Sequence, residues 1–143
     1  GNLPPGETFV APVEGTAAGM LVIDGSMSGV GLIKEPIKIR VEKGLAMEIT
    51  GGEEAKKLVA LVDAHGIDAR NIAELGIGLN EFAKLTGSVL EDEKILGTVH
   101  IALGDNSTFG GNVEVASHLD GVLLKPSLWI DDKKIIENGK ILA

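Results

Sequence analysis

Five side chains in this sequence have the types that bind divalent cations, two imidazoles and three carboxylates. They are Glu7, Glu74, His100, His118 and Asp120. His118 and Asp120 lie two residues apart in a run with strand character, so both side chains project from the same face, with Cα atoms roughly 6.5–7 Å apart. A metal ion fits between such a pair. We therefore expect a site around the segment 98–120, which also carries His100.

Taken singly, each of these residues also has an ordinary structural explanation. A lone histidine in a strand, such as His100, is commonly a hydrogen-bonded core residue, and Glu74 suits an edge or exposed position as well as a functional one. The spacing does not match the helical His-Glu-x-x-His pattern of zinc proteases. The pair formed by His118 and Asp120 is short enough to occur by chance. The residues alone leave a metal site and a metal-free β domain open.

Apolar periodicity predicts the elements that must position these side chains. Alternation in Ile37–Glu42 indicates a strand with one solvated face, and Leu45–Thr50 continues a meander that begins at residues 20–24 and 32–33. A helix of roughly 13 residues is predicted from Glu53, with apolar residues at a 3.6-residue period, and Gly66 supplies its C-terminal stop. His65 at its end is expected to cap the helix or lie on the surface.

Further strands are predicted at 8–13, 71–79 and 97–103 and around 118–130, and the dipeptide Asn138-Gly139 predicts a type I′ hairpin. Residues 81–85 and 90–94 are expected to form short helical turns. The predicted fold class is α+β, a mainly antiparallel or mixed β-sheet with one well-defined packed helix.

Composition excludes several classes of function. The net charge is −8, with one tryptophan and no tyrosine, whereas nucleic-acid binding needs a basic surface and stacking aromatics. Cysteine is absent, which excludes disulfides, thiolate zinc sites and cysteine nucleophiles. The apolar runs are too short for a membrane span, and no signal-peptide pattern is visible. A cytoplasmic protein without nucleic-acid or membrane partners is the expectation.

Four separated motifs carry a family resemblance. They are Pro5-Gly-Glu7-Thr-Phe-Val-Ala-Pro12, Asn71-Ile-Ala-Glu74, His100-Ile-Ala-Leu-Gly104 and His118-Leu-Asp120. Their order and spacing resemble the C-terminal part of the aminopeptidase T/aminopeptidase S family, two-domain metallo-aminopeptidases related to leucyl aminopeptidases. The chain also starts on a proline-rich loop, residues 2–7. Residues 1–143 are therefore expected to be the metal-binding C-terminal domain of a larger two-domain metallopeptidase-like protein.

The resemblance implies a metal-dependent hydrolase. Two divalent cations, zinc, cobalt or manganese, would be held by Glu7, Glu74, His100, His118 and Asp120, with Glu74 also catalytic, and would activate a water for attack on the N-terminal peptide bond. The implied partners are a peptide substrate, the missing N-terminal domain and a second copy in a homodimer. The isolated domain is expected to be weakly active or inactive.

One departure from that family bears on the reaction. The family usually has a tyrosine seven residues beyond the histidine of the third motif, where this sequence has Ser107. If the phenol stabilises the transition state, its loss costs on the order of 10²–10³ in rate. The acidic residues of the segment 92–94 also lie further from His100 than the comparable motif would.

The same superfamily offers an alternative. That superfamily also resembles ring-cleaving dihydroxypyridine dioxygenases, in which one iron is held by two histidines and one carboxylate. His100, His118 and Asp120 would supply that triad. A mononuclear non-haem iron dioxygenase and a non-enzymatic, metal-free β domain therefore stand beside the hydrolase.

Overall fold

Short antiparallel strands make up most of the chain. The computed structural model describes residues 6–142 and contains two α-helices there, α1 (Glu53–Asp63) and α2 (Val89–Asp92), and two 3-10 turns, Ile67–Arg70 and Ser107–Phe109. The strands are β1 (Glu7–Val10), β2 (Gly19–Ile23), β3 (Ser26–Met27), β4 (Gly31–Leu32), β5 (Ile37–Glu42), β6 (Leu45–Thr50), β7 (Ile72–Gly78), β8 (Val99–Gly104), β9 (His118–Leu123), β10 (Leu128–Ile130), β11 (Lys133–Glu137) and β12 (Lys140–Ile141). Residues 1–5, which hold Pro5 of the first motif and most of the proline-rich loop, lie outside the described part, as does residue 143.

These strands form three sheets. The largest has six strands in the order β1-β7-β8-β9-β3-β4, and two smaller sheets have the orders β2-β5-β6 and β10-β11-β12. The strands within each sheet pair antiparallel. With the single long helix, this confirms the predicted α+β class. No helix within residues 6–142 is both long and apolar enough to cross a membrane.

The main hydrophobic core lies between α1, the β2-β5-β6 sheet and one face of the large sheet. In β5 the apolar residues Ile37, Ile39 and Val41 are buried while their neighbours face solvent, as the alternation predicts. Leu58 and Val62 of α1 are fully buried in the same core. Truncating a side chain such as Leu58 to alanine would cost about 2–5 kcal/mol. This packing fixes the back of the sheet that carries the site.

The predicted meander is wrong between β2 and β5. β2 pairs directly with β5, whereas β3 and β4 leave for the large sheet, where Met27 pairs with Gly121 of β9. The crossing occurs at Gly25, whose amide donates to the Val122 carbonyl at 2.9 Å. An added Cβ at Gly25 would lie 2.9 Å from that oxygen, so only glycine allows the approach.

Two helical predictions also need correction. The helix α1 ends at Asp63, earlier than predicted, with Ala64 as its C-cap, and Gly66, with a φ of 81°, precedes the 3-10 turn that follows. His65 is exposed just beyond the helix end, as expected. The helical turn predicted at 81–85 does not form, since the Asn80 side-chain oxygen instead accepts the Phe82 amide at 2.8 Å in a local turn.

The type I′ hairpin is confirmed. Asn138 and Gly139 have φ angles of 49° and 83°, the two positive values that this turn requires, and they join β11 to β12.

Candidate metal centre

Three neighbouring strands bring the polar side chains together. In the register of β7, β8 and β9, Glu74 lies opposite Ala102, and Ala102 lies opposite Asp120. Glu74 and Asp120 therefore lie on either side of the small, buried Ala102 in one row across the sheet. His100 is two residues before Ala102 on β8, and His118 is two residues before Asp120 on β9. The alternation of strand side chains thus places four candidate ligands on one face.

His118 has an orientation suited to metal binding. Its Nδ1 lies 2.8 Å from the Asp105 carbonyl oxygen, to which it donates a hydrogen bond. This leaves Nε2 pointing between Glu74 Oε1 at 3.2 Å and Asp120 Oδ2 at 3.4 Å. Hydrogen bonds to Asp120 and then Glu74 raise the pKa of His118 to about 11 in the metal-free protein, against a smaller opposing effect of burial. A proton on Nε2 therefore holds the place that a cation can take.

Glu74 is shared between the two histidines. Its second oxygen, Oε2, lies 2.8 Å from Nε2 of His100. Burial raises the pKa of Glu74, but hydrogen bonds from His100 and His118 outweigh it and bring the pKa down to about 2. Burial likewise opposes the charged form of His100, while the contact with Glu74 raises its pKa. Glu74 is a permanent carboxylate at the centre of the site.

A second group of residues borders the same cavity. Glu7 enters from β1, which pairs with β7, and its Oε2 lies 3.3 Å from Lys94 Nζ. Glu93 Oε1 lies 2.8 Å from the same ammonium. Burial raises the pKa of Glu93 to about 7, with Asp120 and Glu7 adding to the rise and the hydrogen bond from Lys94 opposing it. Glu93 is thus a carboxyl group whose charge changes near neutral pH.

Ligand atoms converge in three overlapping groups among the described residues. The groups are Glu7, Glu74 and His100; Glu74, His118 and Asp120; and Glu93, His100 and Asp120, each with its ligand atoms within 4.8 Å of one another. Two buried atoms at these groups, His100 Nδ1 and Asp120 Oδ1, have no hydrogen-bond partner, and Glu7 Oε2 has none beyond its 3.3 Å ion pair with Lys94. Buried polar atoms are rarely left unpaired, so the arrangement fits a metal cofactor held by acidic and histidine side chains.

The groups open into a pocket of about 580 Å³. Beside the charged residues, the pocket is lined by Phe9, Leu90 and Phe109. The Phe109 ring stands edge-on to the His118 imidazole at 5.9 Å and to Phe9 at 5.6 Å. The volume lies in the range of small-molecule sites, and the wall offers an aromatic edge beside the ligand groups.

Four of the five residues proposed from sequence line this cavity, namely Glu7, Glu74, His118 and Asp120. His100 does not line it: its side chain is fully buried and contacts Glu74. The structure does not bring His100, His118 and Asp120 into one ligand group, because within residues 6–142 no group contains both histidines and Glu74 lies between them. Sequence reasoning did not include Glu93 or Lys94 among the site residues. The sequence feature that could have indicated them is the acidic segment 92–94 at the end of α2. This helix packs against β9 and brings Glu93 and Lys94 to the pocket.

Comparison with known proteins identifies a different chemistry from peptide hydrolysis. A family model described as "NicX: 2,5-dihydroxypyridine 5,6-dioxygenase" matches residues 1–143. The 2,5-dihydroxypyridine 5,6-dioxygenase of Pseudomonas putida KT2440 is 28% identical over 153 residues, which cover 98% of this chain and 44% of that enzyme. The solved structure of 2,5-dihydroxypyridine dioxygenase from the same strain superposes with a TM-score of 0.86 at 26% identity, over 94% of this chain and 43% of that one. The chain spans less than half the length of these relatives.

These likenesses overturn the expectation of a metallo-aminopeptidase. The hydrolase activity, the peptide substrate and the aminopeptidase N-terminal domain are wrong, and the two-metal hydrolase centre has no support. The physical reason is that the motifs consist of carboxylates and imidazoles, which bind divalent metals in hydrolases and oxygenases alike. They indicated a metal site without indicating its reaction. The homodimer stays a prediction.

Proposed function

Since the chain belongs to the family of 2,5-dihydroxypyridine 5,6-dioxygenases, whose model matches it from residue 1 to residue 143, we propose that it forms the metal-binding part of a ring-cleaving dioxygenase. Its substrate would be 2,5-dihydroxypyridine or a closely related hydroxylated aromatic ring, and its cofactor one ferrous ion. The alternative reading of the motifs, rather than the hydrolase, leads to this proposal.

The observation that carries the proposal is the geometry of His118. Its Nδ1 is engaged by the Asp105 carbonyl, and its Nε2 faces Glu74 and Asp120 at 3.2 and 3.4 Å. Imidazole together with carboxylates is a donor set that suits non-haem iron. We propose Glu74, His118 and Asp120 as the residues that would hold the ion. The buried and unpaired Asp120 Oδ1 supports this assignment.

The neighbouring residues have supporting roles in this proposal. His100 Nε2 lies 2.8 Å from Oε2 of Glu74, and this contact fixes the direction of the other carboxylate oxygen, Oε1. The Asp105 carbonyl holds the proton on His118 Nδ1, which keeps Nε2 free to bind. When bound, a ferrous ion supplies the redox chemistry that brings molecular oxygen to an electron-rich ring.

Two features of the pocket favour a hydroxylated aromatic substrate. The edge-to-face pair of Phe9 and Phe109 gives a flat wall next to His118, against which an aromatic ring packs favourably. Glu93, with a pKa of about 7, is suited to accept a hydroxyl proton from the substrate near neutral pH. We propose Phe109 as the ring-packing residue and Glu93 as the proton acceptor.

Anaerobic loading of the full chain with ferrous iron tests the proposal. We expect one iron per chain, and oxygen uptake on addition of 2,5-dihydroxypyridine, with one oxygen molecule consumed for each ring cleaved. Asp120→Ala should abolish both iron binding and oxygen uptake, since it removes a ligand carboxylate. His65→Ala, which changes an exposed histidine beyond α1, is the matched control and should behave as wild type.

Two results would contradict this function. A chain that binds no ferrous iron, or that retains it in both Asp120→Ala and His118→Ala, would remove the proposed site. A chain that binds iron at these residues but shows no pyridine-dependent oxygen uptake would remove the proposed reaction while leaving the site.

A further inference from the structure

Lys94 is an unusual residue for this cavity. Its side chain is 1% exposed, at the base of a pocket rich in carboxylates, and a lysine is almost never buried to this extent without partners. The ammonium group has three N–H donors, and three acceptors lie within reach. They are the Leu90 carbonyl oxygen at 2.6 Å, Glu93 Oε1 at 2.8 Å and Glu7 Oε2 at 3.3 Å.

Two of these contacts, to Leu90 and Glu93, are hydrogen bonds, and the third is an ion pair with Glu7, so that protein oxygens surround the ammonium. A substrate atom would have to displace Leu90, Glu93 or Glu7 in order to bind Lys94. The group is therefore placed as a fixed internal cation, and not as a substrate-binding lysine.

The carboxylates that hold Lys94 are also potential metal ligands. Of the three ligand groups among the described residues, one contains Glu7 and another contains Glu93. The third group, made of Glu74, His118 and Asp120, contains neither. The ammonium is thus bonded to the two groups that would hold any further ion, and it leaves free the one assigned to iron above.

We propose that Lys94 is a built-in counter-cation, whose ammonium occupies the position of a second metal ion and limits this pocket to one ion at Glu74, His118 and Asp120. The inference rests on the one-ion site of the proposed function and adds the residue that sets the number of ions. A divalent ion at Glu7 or Glu93 would compete with the ammonium for the same oxygens and would be repelled by its charge. In the absence of Lys94 the same oxygens would be buried carboxylate ligands without a cation, a strong attraction for a metal.

Metal stoichiometry tests the proposal, with Mn²⁺ as the probe. The full chain and Lys94→Met are equilibrated with Mn²⁺ by dialysis, and bound metal is measured by elemental analysis and by electron paramagnetic resonance. We expect one ion per chain in wild type and two in Lys94→Met. The spectrum should change from that of an isolated ion to that of a spin-coupled pair, since two metals sharing such ligands lie roughly 3.5–4 Å apart.

Two further variants make the result specific. Lys134→Met removes a lysine whose side chain is only half-buried and makes a similar 2.8 Å contact with Glu137, and it should keep one ion. Glu7→Gln/Lys94→Met/Glu93→Gln removes the ammonium together with both of its carboxylate partners, and it should return to one ion, because Glu74, His118 and Asp120 remain. A triple variant that binds two ions would place the second ion elsewhere and overturn the proposal.

Folding of Lys94→Met is followed separately, because unpaired Glu7 and Glu93 destabilise the metal-free state. If the variant unfolds without metal, refolding is titrated with Mn²⁺, and two ions per refolded chain support the proposal whereas one or none overturns it. One ion in a folded Lys94→Met would overturn the role of Lys94 and leave the one-ion site intact. No ion in wild type would overturn the site itself, which separates the two failures.

Discussion

Gly76 lies directly opposite His100 on the neighbouring strand, and the imidazole occupies the space where a side chain at residue 76 would be. A Cβ built on Gly76 would come within 2.0 Å of His100 Nε2, the atom that bonds Glu74 at 2.8 Å. The backbone of Gly76 does not have a positive φ, so glycine is required here for space and not for conformation. The absence of a side chain at one residue thus fixes the orientation of a site histidine.

The first prediction concerns this contact. Gly76→Ala should displace the His100 ring, break its bond to Glu74 and destabilise the protein by about 1–3 kcal/mol, as overpacking does. Because His100 orients Glu74, iron affinity should fall by about 10- to 100-fold. Urea denaturation and anaerobic iron titration measure the two effects. In a His100→Ala background the stability cost of Gly76→Ala should largely disappear; equal costs in both backgrounds would show that the clash is not with His100.

A second prediction concerns the loop between β8 and β9, which carries the Asp105 carbonyl. Glu14 Oε1 accepts hydrogen bonds from the Asn112 amide at 2.6 Å and from Asn106 Nδ2 at 3.1 Å, and so ties this loop to the segment after β1. These bonds, that from the Asn112 amide first, lower the pKa of Glu14 below 4.5. A carboxyl whose pKa is lower in the folded state than in the unfolded state stabilises the protein at pH values above its unfolded-state pKa. This contribution is lost as the pH falls through the folded-state pKa.

Glu14→Gln should therefore lower the free energy of unfolding at about pH 7. The difference from wild type should shrink as the pH is lowered below about 4.5, because wild type itself then loses the stabilisation from the Glu14 carboxylate. Urea midpoints measured across this range for both proteins give the comparison. Glu48→Gln, at an exposed glutamate of β6, is the control. If wild type and Glu14→Gln lose the same amount of stability as the pH is lowered, Glu14 does not hold the loop.

Local sequence patterns predicted much of the fold, and particular residues show which features they did not predict. The alternation in β5 and the Asn138-Gly139 turn are local signals, and the structure has both as predicted. The passage of β3 into the large sheet depends on the approach of Gly25 to Val122, a contact between residues far apart in sequence. Periodicity carries no information about such a contact.

The same limit applies to the site. His118 and Asp120 could be paired from their spacing, because residues two apart share a strand face. Lys94 could not be placed, since a short helix brings it under Glu7 from a distant part of the chain. The reaction could not be read either, because the set of imidazoles and carboxylates suits more than one metal chemistry.

A third prediction follows from the proton on His118. Asp120 and Glu74 raise the pKa of His118 to about 11, so Nε2 is protonated in the metal-free protein at neutral pH, and a metal must displace that proton. Binding of Mn²⁺ should release at least one proton per ion, and its affinity should rise about tenfold per pH unit around neutrality. Calorimetry in buffers of different ionisation enthalpy measures the release. His65→Ala should release the same number, and binding without any proton release would show that the metal does not bind His118 Nε2.

The fourth prediction tests the aromatic wall of the pocket. Phe109→Ala removes the ring that stands edge-on to His118 and Phe9, and it should weaken binding of 2,5-dihydroxypyridine by about 3- to 10-fold, the value of an aromatic pair contact. Iron stoichiometry should not change, because the phenyl ring offers no ligand atom. Phe109→Leu keeps much of the side-chain volume. If packing between rings supplies the affinity, its affinity for 2,5-dihydroxypyridine should be closer to that of Phe109→Ala than to that of wild type.

Phe82→Ala is the matched control, since Phe82 is 81% exposed and lies outside this pocket. Ligand binding is measured by anaerobic fluorescence titration from Trp129 or by calorimetry, each at fixed iron loading. Unchanged pyridine affinity in Phe109→Ala would place the ring elsewhere in the cavity. A loss of iron in the same variant would show instead that the edge contact holds the His118 imidazole in place.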